Sequence, residues 1–133
     1  MPDRFGIDTS ILVRLLTSDP PGEFERCVAA LRALVEGEGA ELVASNQVIG
    51  ESYVAVQHHY GVSKEDARKS LSDALQSGLV QPLEGRPVLE ALAATKAPGL
   101  MDRLIAGSYS ATGAATLTLD RKMAGLPGAR LLK

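Results

Sequence analysis

Four acidic residues, Asp8, Glu51, Asp102 and Asp120, stand where a carboxylate can do chemistry. Asp8 closes a short apolar run over residues 5–7 and precedes Thr9-Ser10 and the helically spaced Ile11, Leu12, Leu15 and Leu16. Strand, acid, helix is the order this predicts. It puts Asp8 at the carboxyl end of a strand, where open α/β sheets keep their ligands, and equally at a helix N-cap, where Asp is favoured for structural reasons alone. Asp120 closes residues 114–119, an apolar and β-branched run of the kind that forms a strand buried on both faces. Asp102 opens a helix with Leu104, Ile105, Ser108, Tyr109 and Thr112 on its expected inner face, and Glu51 lies at the margin of a helix that turns Val48, Ile49, Ser52, Tyr53 and Val56 inward. Crossover helices start near the carboxyl edge of a parallel sheet. All four acids can therefore meet there, provided the strands of Asp8 and Asp120 are neighbours.

Such a gathering needs a counter-ion. Two carboxylates about 4 Å apart repel by roughly 4 kcal/mol at an effective dielectric near 20, so several together call for a cation or for abnormal protonation. Oxygen donors without His or Cys point to a hard ion, Mg²⁺ or Mn²⁺, rather than zinc. The matching chemistry is phosphoester hydrolysis, in which the ion activates water and neutralises charge developing on oxygen. His58 and His59 are adjacent, hence about 100° apart on a helix, and do not converge on one ion.

The elements that must position these acids follow from periodicity and breakers. Asp19-Pro20-Pro21-Gly22 interrupts the first helix, and a second over residues 23–36 carries Phe24, Cys27, Val28, Leu31, Leu34 and Val35 on one face. Cys27 is thus expected as a packed core thiol. Residues 41–45 read as a second strand and 46–59 as the helix bearing Glu51; Ser63-Lys64-Glu65-Asp66 has the form of a capping box opening a further helix that Gly78 closes. Residues 79–83 form a third strand whose Pro82 suggests a sheet edge, Val88, Leu89, Leu92 and Ala93 mark a helix, and residues 129–132 a last edge strand. This alternation predicts a single α/β domain over residues 1–133, with a central parallel sheet of about five strands and helices on both faces.

Composition narrows the function classes. The chain has 133 residues, 45% hydrophobic and 23% charged, which suits one globular domain and neither a disordered nor a fibrous chain. No apolar run reaches the roughly 18 residues of a membrane span, and Asp8 and Arg14 break the N-terminal apolar segment, so neither a membrane role nor a signal peptide is expected. One cysteine cannot make an internal disulfide, which fits the cytoplasm. The net charge of -2 argues against a plain nucleic-acid-binding module, but less against a nuclease that holds phosphate through a metal.

Taken together, Asp8-Thr9-Ser10-Ile11-Leu12-Val13-Arg14, Glu51, Asp102-Arg103-Leu104-Ile105-Ala106 and Thr118-Leu119-Asp120-Arg121-Lys122 resemble a PIN domain, and more narrowly the VapC-type toxins of bacterial toxin-antitoxin pairs. The resemblance spans nearly the whole chain, in the order and spacing of all four acids. It implies a three-layer α/β/α fold and a Mg²⁺- or Mn²⁺-dependent endoribonuclease that cuts a structured cellular RNA to inhibit translation. It further implies a cognate VapB-type antitoxin that covers the site. Asp8, Glu51, Asp102 and Asp120 would then ligate metal directly or through water, and Thr118 would orient a carboxylate or water. Met101 departs from the pattern, standing before Asp102 where a smaller residue is expected, and the lead-in to Glu51 is less apolar than usual.

Arg14, Arg103, Arg121 and Lys122 are candidates for phosphate contacts, or ordinary solvated side chains near helix ends. With 4% aromatic residues there are few stacking platforms, so RNA would be held by backbone, metal and shape. A homodimer joined through apolar helix faces is a further expectation. Two alternatives compete: a housekeeping RNA-processing nuclease, and a non-catalytic scaffold of the same fold. A haloacid-dehalogenase-type phosphatase needs a second acid two residues after the first, and Ser10 stands there instead.

Overall fold

The computed structural model describes residues 3–133. Strand β1 (Arg4–Gly6) pairs in parallel with β2 (Glu41–Ala44), and β2 with β3 (Gln81–Pro82), so β2 is central. The ladder extends beyond the regular strands, with the Ile7 amide donating to Val43 O and the Leu83 amide to Ala44 O. Leu42, Val43 and Ala44 are buried, as a central strand requires. Pro82 lies on the edge strand, where its missing N–H leaves no gap in the sheet.

Helices α1 (Thr9–Thr17), α2 (Pro21–Arg32), α3 (Asn46–Tyr60), α4 (Lys64–Leu75), α5 (Arg86–Ala93) and α6 (Leu100–Ala111) fill the connections. Their ends obey local chemistry. Asp8 caps α1, Ser45 Oγ accepts from the Val48 amide at α3, and Ser63 Oγ accepts from the Asp66 amide at α4. Pro21 starts α2 at a position that needs no amide hydrogen, and the helix anticipated to Glu36 ends in a π-helical turn over Ala33–Gly37. Leu12, Ile49, Leu71, Val56 and Val80 are the heart of the core, against which Cys27 packs half-buried.

Three expectations are corrected. Strands β4 (Thr116–Thr118) and β5 (Ala129–Leu131) pair in parallel with each other and not with β1, so the five strands form sets of three and two rather than one hydrogen-bonded sheet. The β4 run is also not buried on both faces: Thr116 is buried, but Leu117 is 58% and Leu119 79% exposed. A run of six apolar or β-branched residues reports compatibility with burial, and at the rim of a domain too little chain remains to cover it. The inner face of α6 is rotated as well. Leu100, Leu104 and Ala106 are buried, whereas Ile105 and Tyr109 are exposed, because α6 packs against both α3 and α5.

Candidate active site

The parallel sheet gathers side chains by a simple rule: Asp8, Asn46 and Glu84 each lie two residues past the end of β1, β2 and β3, hence along one carboxyl edge. Asp8 is exposed there. Its Oδ1 accepts from the Ser10 amide at 2.6 Å and the Ser10 hydroxyl at 2.8 Å, and those bonds hold its carboxyl below the usual carboxylate range. Oδ1 is thereby committed to the cap, so the N-cap and functional readings of Asp8 are compatible.

Glu51 comes to the same place from α3. The Thr9 hydroxyl donates to Glu51 Oε1 at 2.6 Å and Gln47 Nε2 to Oε2 at 3.3 Å. Thr9, then Gln47, lower the Glu51 pKa, while the neighbouring Asp8 charge works the other way. That opposition is the mark of two carboxylates sharing one field. Both are ionised at neutral pH, and the ion pairs among the described residues, Arg4–Glu41 and Arg14–Glu23, engage neither.

Asp102 lies half-buried in the first turn of α6. The residue before it, Met101, packs closely on α3. A Cβ on Gly50 would meet Met101 Cε at 2.9 Å and Sδ at 3.0 Å, so the large residue before Asp102 is accommodated by a glycine facing it, directly before Glu51. Asp120 is exposed and follows β4. Its Oδ1 accepts from the Lys122 and Met123 amides at 2.7 and 3.1 Å, and Thr118 Oγ1 accepts from the Asp120 amide at 3.0 Å. Thr118 thus braces the turn that carries the acid. Because β4 is not laddered to β1, sheet pairing does not bring Asp120 beside Asp8.

Among the described residues, no group of three or more His, Cys, Asp and Glu side chains converges closely enough to hold a metal ion. The Asp8–Glu51 pair is what the fold assembles. It fits a hard divalent cation of the Mg²⁺ type, which takes one or two protein carboxylates, keeps several waters and completes its shell with substrate phosphate. His58 and His59 are exposed at the end of α3.

Of the cationic candidates, Arg14 reaches Glu23 at 3.8 Å, and Arg103 donates to Pro98 O at 2.8 Å and Lys96 O at 3.1 Å, stapling the segment before α6. Arg121 and Lys122 are exposed beside Asp120. Thr9, Ser10 and Gln47 were not anticipated as parts of the site. Gln47 was findable, since i and i+4 face each other on a helix; Thr9 was not, because its partner is 42 residues away.

Comparison with protein-family models matches the PIN domain over residues 6–128. No curated protein and no solved structure matches the chain.

Proposed function

The chain belongs to the PIN-domain family, a nuclease fold whose members generally use divalent metal ions, and from that premise we propose that it is a Mg²⁺- or Mn²⁺-dependent endoribonuclease, the toxin of a type II toxin-antitoxin pair, cutting structured cellular RNA in the cytoplasm. The observation that carries the reading is the pair formed by Asp8 and Glu51: two ionised oxygen donors at the carboxyl edge, joined through Thr9 and engaged by no ion pair among the described residues.

In this proposal Asp8 and Glu51 hold the ion, and Asp102 and Asp120 contribute directly or through water. A bound divalent ion supplies an activated water and screens the charge that grows on the phosphate oxygens during hydrolysis. The chain's own work is positional. Ser10 fixes one oxygen of Asp8, Thr9 and Gln47 fix both oxygens of Glu51, and Thr118 fixes the Asp120 turn. Arg121 and Lys122 offer positive charge to the RNA backbone. An antitoxin of the VapB type would inhibit by covering this edge. Exposed Met101, Ile105 and Tyr109, four apart on α6, support a homodimer, which light scattering showing only monomer at high concentration would remove.

The test is cleavage of total cellular RNA by purified protein freed of any partner, with Mg²⁺, with Mn²⁺, and with chelator. Metal-dependent cutting, lost by about a hundredfold or more in Asp8→Asn and in Asp102→Asn that retain the wild-type fold, is the expected result. A wild type that binds neither ion and cuts no RNA refutes it.

A further inference from the structure

Asn46 is the first residue of α3, the helix that carries Glu51, and it is 6% exposed. Its amide reaches across to α6, the helix that carries Asp102: Nδ2 donates to Leu104 O at 2.9 Å and to Ser108 Oγ at 3.1 Å. Leu104 O can only accept, so the NH₂ group must lie on that side and the orientation of the amide is fixed. Ser108 Oγ passes the chain on, donating to Glu84 Oε2 at 3.0 Å. One run of hydrogen bonds thereby ties α6 to the residues that follow β2 and β3. The fit is close as well as polar: a Cβ on Gly107 would stand 3.7 Å from Asn46 Nδ2, so the amide lies against the α6 backbone.

As a source of stability this arrangement is poor. Asn46 Oδ1 is buried with no hydrogen-bond partner among the described residues, and an acceptor left in that state is costly. A leucine, of the same branched shape, would occupy the site without that cost, but it would lack direction. Two bonds from one planar group fix both the slide of α6 along its axis and its rotation about it, and apolar contact fixes neither as sharply. The other close contact between the helices, Met101 against Gly50, ends in a flexible thioether that adapts to small shifts. Leu104 is two residues, about 3 Å of helix, beyond Asp102, so whatever holds Leu104 holds the first turn of α6.

We propose that Asn46 is a positioning residue: through Leu104 and Ser108 it sets the place of Asp102 relative to the Asp8–Glu51 pair, and with it the affinity of the acidic edge for a divalent cation. This role rests on the ribonuclease reading, in which Asp102 joins that pair directly or through water. Asn46 and Glu51 share one helix, so the amide links the carriers of two of the acids with no intervening loop. A small hard ion of the Mg²⁺ type tolerates little displacement of its oxygen donors, so a small shift of α6 is felt as lost affinity. Asn46 itself touches neither ion nor substrate in this scheme.

The experiment is calorimetric titration of Mn²⁺ into the protein freed of any partner, for wild type, Asn46→Leu, Asp102→Asn and the double variant, with urea unfolding of each. Asn46→Leu is expected to hold or raise the denaturant midpoint yet weaken Mn²⁺ binding by about tenfold, and to cause no further loss once Asp102→Asn is present. Unchanged Mn²⁺ affinity in Asn46→Leu, or an equal loss with and without Asp102→Asn, overturns the proposal. Ser108→Ala breaks the same run of bonds from α6 and is expected to weaken Mn²⁺ binding in the same Asp102-dependent way, which keeps the test open should Asn46→Leu not fold. In the metal-free protein, the nuclear Overhauser effect between the Met101 ε-methyl and the Gly50 α protons reports the seat of α6 on α3. It is expected to weaken in Asn46→Leu, and full intensity there overturns the proposal even where no ion binds. A wild type that binds no Mn²⁺ while the variant loses this effect removes the metal reading and leaves Asn46 as the residue that seats α6; Mn²⁺ binding that Asn46→Leu leaves unchanged removes the positioning role and leaves the metal site.

Discussion

The Thr9 hydroxyl donates to Glu51 Oε1 across 2.6 Å, which ties the residue after Asp8 to an acid on α3 and keeps Glu51 within the field of the Asp8 charge. The hydroxyl and amide bonds around Asp8 and Glu51 pull both proton affinities down, and at Glu51 they outweigh the opposing charge of Asp8. A group whose folded-state pKa is depressed adds stability above its unfolded value and loses it as pH falls through the folded one. Both acids therefore favour the folded state near neutral pH and cease to do so in acid.

Opposite shifts are expected when the two influences are removed in turn. Thr9→Val should raise the Glu51 pKa and begin the acid-side loss of stability at a higher pH, whereas Asp8→Asn should lower the Glu51 pKa further. Carboxyl ¹³C chemical shifts followed against pH in the metal-free protein report both. No movement in Asp8→Asn would mean that the two carboxylates do not share a field.

Gly50 and Met101 should be energetically coupled. In the wild-type background, Gly50→Ala gains up to about 1 kcal/mol of helix propensity but must push the end of Met101 out of a good rotamer, which costs about as much, so the net change is small. With Met101→Ala already in place, the same substitution should stabilise by about 1 kcal/mol. Urea unfolding of the four proteins measures the coupling, and an identical effect in both backgrounds would show that the contact does not matter.

Ser52 is wholly buried on α3, and its hydroxyl has no hydrogen-bond partner among the described residues. Removing such a hydroxyl relieves an uncompensated desolvation, so Ser52→Ala is expected to raise stability by about 1 kcal/mol, visible as a higher denaturant midpoint at unchanged slope. Destabilisation would reveal a partner for Ser52 in solution.

Asp120 serves as a turn cap as well as a candidate ligand, and substitution can separate the two. Asp120→Asn retains an oxygen for the Lys122 and Met123 amides and should leave hydrogen exchange across β4 and β5 unchanged, while Asp120→Ala should speed it. Both variants should lose metal-dependent activity. Equal exchange in the two variants would mean that the cap contributes nothing.

Much of the scaffold was legible because it rests on local rules. Asp8 as the acid between β1 and α1, the Ser63 cap, the edge position of Pro82 and the core placement of Cys27 depend on spacing and on neighbours within a few residues. The face of α6 was misread for the opposite reason: Ile105 and Tyr109 have the hydrophobicity of core residues, but α3 and α5 cover a different arc of that helix.

By itself, the sequence determined which residues can bear charge at a strand end and which segments alternate between strand and helix, since backbone preference and apolar period are properties of short stretches. Only the tertiary structure decided that Thr9 meets Glu51, that Gly50 makes room for Met101, that β4 pairs with β5 and not with β1, and that Asn46, Ser108 and Glu84 join in one hydrogen-bonded chain. Those contacts join residues far apart along the chain. Which of the sterically permitted pairs forms depends on the volume and hydrogen-bonding capacity of every group packed around it, and no local window contains that information.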